Sequence, residues 1–252
     1  MQLILKPTAT CNFACTFCSA NKLMLKHLVE VPDNLKKLLS DLKPQDLIIT
    51  GGEPLTCPRS FYEELLSLGD WTLSFTTNLK AFYENPDEWL SLFKDKRVGV
   101  CTSFQYGEGR RWSKDECYTE DKFIEVEKLF KKLVGYAPNF IAVISNENEQ
   151  YAFKHLELAR QLGTKCKLNG VLPIGLSKEF FPRWKLIKIW LDALDQGYSD
   201  ILDIDVAAYH GGCGFNTNLM CASTIGACAI DADGKLLYAT CEEDLNAQVD
   251  II

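Results

Sequence analysis

Short apolar runs alternate with longer amphipathic stretches through the first two-thirds of this 252-residue chain, and that rhythm narrows the available folds more than any other feature. Six runs read as strands, at 3–6, 46–50, 72–77, 97–104, 140–145 and 165–172. Five stretches of helical spacing lie between them, at 33–42, 60–68, 86–93, 121–133 and 147–162. Apolar residues recurring at strand or helix period are the primary signal for each. Asp33 with Asn34, and Pro86, are good helix starts, while Gly135 and Gly163 are good stops. Strands that each return through a helix pair in parallel, so the expectation is an α/β chain built of βαβ units. Right-handed crossovers curl such a sheet one way, and its chemistry gathers at the carboxyl ends of the strands.

The alternation stops near residue 177. Residues 182–196 read as one more helix, and 210–241 are rich in Gly and Cys. Within that stretch 227–230 and 235–238 read as a hairpin around an Asp-Gly turn. The chain therefore divides into an α/β unit over 1–177, a connecting helix and linker over 178–205, and a Cys-rich unit over 206–252.

Apolar residues make up 47% of the chain, enough for a large core, so disorder is excluded as a description of the whole. The net charge of −7 leaves no overall basic footprint and argues against a nucleic-acid partner. No run of 18 apolar residues and no signal-peptide pattern stands in the sequence, which makes a cytoplasmic location without membrane insertion the expectation.

The eleven cysteines are unevenly spread. An odd count in a long chain without an export signal speaks against a disulfide framework. Three cysteines, Cys11, Cys15 and Cys18, stand at C-x3-C-x2-C spacing in a loop just after the first strand. Three thiolates on so short a loop can reach three corners of one iron–sulfur cubane, leaving its fourth iron open to a substrate. Structural zinc takes four protein ligands, and no histidine stands within this run to complete a set.

This spacing, with Phe17 immediately before the last cysteine, resembles the signature of the radical-SAM superfamily. The resemblance implies a partial (β/α)6 TIM-like barrel over 1–177. It also implies a 4Fe–4S cluster with an open iron on Cys11, Cys15 and Cys18, and bound S-adenosylmethionine. A single electron, from a donor such as flavodoxin or ferredoxin, would split the cofactor to a 5′-deoxyadenosyl radical. Thr50-Gly-Gly-Glu-Pro54 follows the second strand and resembles the family's Gly-Gly-Glu motif. Read from the residues alone it is a strand-to-helix turn. Read through the resemblance, Gly51, Gly52, Glu53 and Pro54 would bind the cofactor's ammonium. Asn78 ends the third strand, Ser103 and Gln105 the fourth, Ser145 the fifth and Leu172 the sixth. By position these resemble groups that meet the methionine, ribose and adenine parts. Arg110 or Arg111 could fork onto the carboxylate, Arg111 being the one selected.

Cys213, Cys221, Cys228 and Cys241 form a second group around the expected hairpin. The segment resembles the auxiliary-cluster region of the SPASM and twitch subgroups. It departs from the SPASM pattern in having six residues between Gly234 and Cys241 and no cysteine after Cys241. A single auxiliary iron–sulfur cluster is therefore expected, with zinc as the alternative ligand and Cys228 either a fourth ligand or a strand residue.

SPASM and twitch enzymes commonly modify ribosomally made peptides, by cross-linking, thioether formation or epimerisation, and that is the leading functional expectation. With only ten residues before Cys11, a separate leader-binding protein or a short substrate peptide would be needed. A radical-SAM enzyme acting on a nucleotide, sugar or cofactor precursor is the first alternative, and a non-catalytic zinc or iron–sulfur scaffold the second. Cys117 is the candidate hydrogen donor.

Overall fold

The computed structural model describes residues 2–18, 27–171, 173 and 176–203, and the backbone of 227–231, 235–237 and 248–250. Seven strands pair in parallel in sequence order: β1 (Gln2–Lys6), β2 (Asp46–Ile49), β3 (Thr72–Thr76), β4 (Val98–Ser103), β5 (Asn139–Ile144), β6 (Cys166–Gly170) and β7 (Leu202–Asp203). The intervening helices are α1 (Asp33–Leu42), α2 (Arg59–Ser67), α3 (Lys80–Glu84), α4 (Pro86–Phe93), α5 (Glu120–Val134), α6 (Ala152–Leu162) and α7 (Arg183–Asp195). The sheet stays open. β7 ends it on one side, and on the other β8 (Ala227–Asp231) runs parallel to β1, followed by the antiparallel β9 (Lys235–Leu237) and β10 (Gln248–Asp250). This is the α/β, partial TIM-like architecture that the sequence leads one to expect; β8 and β9 pair antiparallel, and the Asp-Gly turn expected between them lies outside the described residues. Residues 204–226, where the Cys-rich unit is expected to begin, lie outside the described residues.

The two faces of the sheet differ. Leu3, Leu5, Leu47, Ile49, Leu73, Phe75, Phe140 and Leu168 are at most 1% exposed. They face the helices: the Phe75 ring meets Tyr62 of α2 and Phe93 of α4, and Phe140 meets Phe123 of α5. Burying each such side chain stabilises the fold by about 1.5–3 kcal/mol. Residues one step along the strands, including Ser74, Thr76, Cys101, Ser103, Lys167 and Asn169, are only half-buried and line the concave side.

Three elements escape the sequence reading. α3 is five residues long, β7 is two, and β10 is three, all too short to show a period. The helix expected from 147 begins instead with a 3-10 turn, Glu149–Tyr151, before α6.

One buried charge gives a pH prediction. Glu127 sits on the apolar stripe of α5 beside Phe123, Val126 and Phe130, is 1% exposed, and neither carboxylate oxygen has a hydrogen-bond partner among the described residues. Burial raises its pKa from 4.5 to about 8. Below pH 4.5 the group is protonated in both folded and unfolded chains. Between 4.5 and about 8 only the unfolded chain releases the proton, so stability falls as pH rises, by about 1.4 kcal/mol per unit. Glu127→Gln should therefore match the wild type near pH 5 and exceed it at pH 8 by several kcal/mol, on the order of 10 °C in Tm. Paired thermal melts at the two pH values check this, and equal melts at pH 8 would contradict it.

Candidate active site

The loop after β1 is held from three sides. Ala14 N–H donates to Arg111 O at 3.1 Å, and Thr16 N–H to Gly109 O at 3.0 Å, tying it to the loop after β4. Gly52 N–H reaches Thr8 O and Glu53 N–H reaches Thr10 O, each at 2.7 Å, tying it to the turn after β2. Leu176 N–H reaches Cys18 O at 3.0 Å from the segment after β6. Phe13 is buried between the rings of Trp112 and Tyr118, with the Arg110 guanidinium 5.2 Å from its centroid. The thiols of Cys11, Cys15 and Cys18 thus stand on a backbone fixed independently of any metal.

Among the described residues no three His, Cys, Asp or Glu side chains come together to ligate one metal ion. Cys11 is exposed at the surface, and the protein packed around its sulfur pushes the thiol up to about 12, with Glu53, Cys15 and Cys18 further disfavouring its thiolate and Phe13 N–H opposing them. A thiolate there needs a cationic partner, and loading would release protons. Two donors already face its sulfur, Phe13 N–H at 3.4 Å and the Asn78 carboxamide at 3.8 Å.

The glycines of the turn after β2 are required by space. A Cβ on Gly52 would lie 2.3 Å from Thr10 O and 2.5 Å from Ala9 C, and Gly51 has φ +115°, a region that L side chains avoid. Pro54 opens a 3-10 turn and Tyr62 donates to its carbonyl at 2.6 Å. Glu53 is 2% exposed. It accepts from Leu55 N–H at 3.0 Å, from the Thr77 hydroxyl at 2.5 Å and from Asn78 N–H at 2.7 Å. Burial raises its pKa, while those donors and Arg110 draw it down. A carboxylate has about four acceptor positions, so one remains for a further donor such as an ammonium.

Beside the cysteine loop is a cavity of about 300 Å³. Thr16 and Phe17 form one wall, Gln105 and Tyr106 of the β4 loop another, and Ser145 and Val171, after β5 and β6, a third. Gln105 is 5% exposed and its Oε1 has no partner among the described residues, so a polar group remains to be met there. Two residues that the sequence reading missed fix this wall. Asn148 donates to Tyr106 O and Val143 O and accepts from Ser145 N–H at 2.7 Å. His155 Nε2 accepts from Tyr106 N–H at 3.0 Å, which leaves Nδ1–H to donate to Tyr151 O at 2.8 Å. Burial lowers the His155 pKa to about 4, so this neutral form persists at physiological pH.

Of the two arginines, Arg110 is the more deeply buried, and neither is among the residues lining the cavity. Arg110 is 8% exposed, bonds to the Ser103 hydroxyl, and has no partner for its Nε. Arg111, expected at the carboxylate, is half-buried, donates to Lys114 O at 3.1 Å and meets Cys117 Sγ at 3.5 Å beside a β-bridge between residues 111 and 117. Cys117 is not among the residues lining the cavity. Leu172, Cys213, Cys221, Cys241 and the Cys228 side chain lie outside the described residues; the Cys228 backbone pairs with Leu3.

The structure thus brings together an open parallel α/β sheet, a three-cysteine loop, a buried Gly-Gly-Glu turn and a cavity at the strand ends. A family model described as the radical SAM superfamily matches residues 5–159, and the chain belongs to that superfamily. It is a radical SAM enzyme, and the family implies a 4Fe–4S cluster and S-adenosylmethionine. The fold is similar to that of Streptococcus suis SuiB bound to S-adenosylmethionine, at 16% identity and TM-score 0.70, over 99% of this chain and 62% of that one. SuiB bound to the precursor peptide SuiA is similar at 15% identity and TM-score 0.68, over 99% and 61%. This chain therefore spans a little over three-fifths of the SuiB chain. No curated protein sequence matches it. Among the described residues no helix is long and apolar enough to cross a membrane.

Proposed function

We propose that this enzyme modifies a ribosomally made peptide, holding its cluster on Cys11, Cys15 and Cys18 and S-adenosylmethionine in the cavity beside them. The observation that carries this reading is the shared wall: Thr16 and Phe17, between the second and third cysteines, line the cavity itself. A ligand there lies against the cysteine loop. Bound together, cluster and cofactor supply a 5′-deoxyadenosyl radical. The chain's residues position and shield them. Gln105 and Ser145, which line the cavity, take the ribose hydroxyls, and Glu53 and Arg110 with Ser103, which lie outside that lining, take the ammonium and the carboxylate where the cofactor reaches towards the cysteine loop. Asn148 and His155 keep that wall in register.

The peptide assignment is supported by the fold's similarity to SuiB, which has been seen with a precursor peptide. The half-buried polar side of the sheet offers an extended surface for such a substrate. The C-terminal cysteines Cys213, Cys221 and Cys241, with Cys228 either a fourth ligand or a strand residue, are assigned to one auxiliary iron–sulfur cluster of twitch type, with flavodoxin or ferredoxin as electron donor.

Anaerobic turnover with reductant, S-adenosylmethionine and short peptides encoded beside this gene tests the substrate class. 5′-Deoxyadenosine should rise with one peptide, whose mass changes. Stimulation by a nucleotide or sugar and by no peptide would overturn the reading. In parallel, Cys221→Ala should lower iron from about eight to about four per chain. Unchanged iron with lost zinc would reject the auxiliary cluster.

A further inference from the structure

The turn between β3 and α3 joins three parts of the site. Thr77 and Asn78 donate to Glu53, Asn78 also reaches the cysteine loop, and Lys80 Nζ donates to Asn12 O at 3.4 Å and to Trp112 O at 2.9 Å. The turn is held at a conformational cost: Leu79, fully buried, adopts φ +59°, a left-handed backbone that a bulky residue avoids. That conformation points the flanking Asn78 and Lys80 side chains at one loop.

The orientation of the Asn78 carboxamide is unambiguous. Its Oδ1 accepts from Lys80 N–H at 2.9 Å, and a backbone N–H can only donate. The Nδ2 end therefore faces the cysteine loop, where it reaches Asn12 Oδ1 at 2.8 Å and Cys11 Sγ at 3.8 Å.

We propose that Asn78 sets the reduction potential of the cluster by donating a carboxamide N–H to the Cys11 thiolate. The inference rests on Cys11 being a cluster ligand. A hydrogen bond to a ligating sulfur offsets negative charge, and reduction adds negative charge, so the donor favours the reduced state. Asn78 is a positioning residue for the first electron transfer, and Lys80 holds it in place through the backbone and the Asn12 carbonyl.

The test is an EPR-monitored redox titration of wild type and Asn78→Leu, with iron and sulfide measured on the same samples. Leucine keeps the branched heavy-atom skeleton and removes the donor. Full iron with a midpoint shifted negative supports the proposal. Full iron with an unchanged midpoint overturns it and leaves the ligand assignment standing. A folded Asn78→Leu that assembles no cluster also overturns it, giving Asn78 a loop-shaping role instead. Should the leucine variant not fold, Asn78→Asp keeps the Lys80 cap and replaces the donor with an acceptor; its midpoint must shift negative, and an unchanged value overturns the proposal. A wild type without a cluster on Cys11 would instead overturn the reading beneath it.

Discussion

Cys15→Ala should reduce 5′-deoxyadenosine formation to the level of the enzyme-free blank while the chain still folds. Cys15 is 8% exposed, and the backbone around it is held by Ala14 and Thr16, whose bonds to the β4 loop do not involve the thiol. The side chain is thus dispensable to the loop's path and indispensable to a three-thiolate site. Changes to outer partners of metal ligands cost about 10–100-fold in affinity, so losing a ligand should cost more than roughly 100-fold. Iron content, far-UV circular dichroism and product formation, measured together, check this. Undiminished product in a folded variant would contradict it.

Gly52→Ala should have nearly as large an effect through a different route. The added methyl would overlap Thr10 O and the Ala9 backbone at 2.3–2.6 Å, distances that must open by roughly 1 Å to reach ordinary contact. Overpacking of that kind costs about 1–3 kcal/mol, and here the strain falls on the two residues leading into Cys11. The two 2.7 Å bonds from Gly52 and Glu53 to the same segment would stretch with it. Iron incorporation should fall at least about tenfold, since outer-shell displacement alone has that effect on metal affinity. Gly99→Ala is the matched control: a Cβ there meets nothing within 4 Å, so iron and activity should be unchanged. Equal iron in both variants would show that the Gly52 contact does not position the cysteines.

How much of this could be read from the residues depends on how local each feature is. The first six strands of the sheet and the longer helices announce themselves through period, as α1 does over Asp33–Leu42. The C-x3-C-x2-C run and the Gly-Gly-Glu turn are contiguous in sequence, so their chemistry is visible without a fold. The β4 loop is not local in this sense. Which of Arg110 and Arg111 is the more buried goes with the bridge from residue 111 to 117, which no period encodes. Asn148 and His155 look like ordinary helix-start and helix residues until Tyr106 is placed against them. Leu79 gives no warning of a left-handed backbone, because leucine is a helix former and only the surrounding contacts impose φ +59°. Glu127 could have been noticed: a carboxylate three to four residues from Phe123 and Phe130, on the same helix face, breaks an apolar stripe.

The central claim is that the Cys11, Cys15 and Cys18 loop holds a cluster whose open iron faces the cofactor cavity. The most direct measurement is EPR of the anaerobically reduced protein, with and without S-adenosylmethionine, beside iron and sulfide quantitation. The account predicts a reduced-cluster signal that shifts when the cofactor is added and is missing from Cys15→Ala. A wild-type spectrum unchanged by S-adenosylmethionine, or a shifted signal that survives in Cys15→Ala, would contradict it.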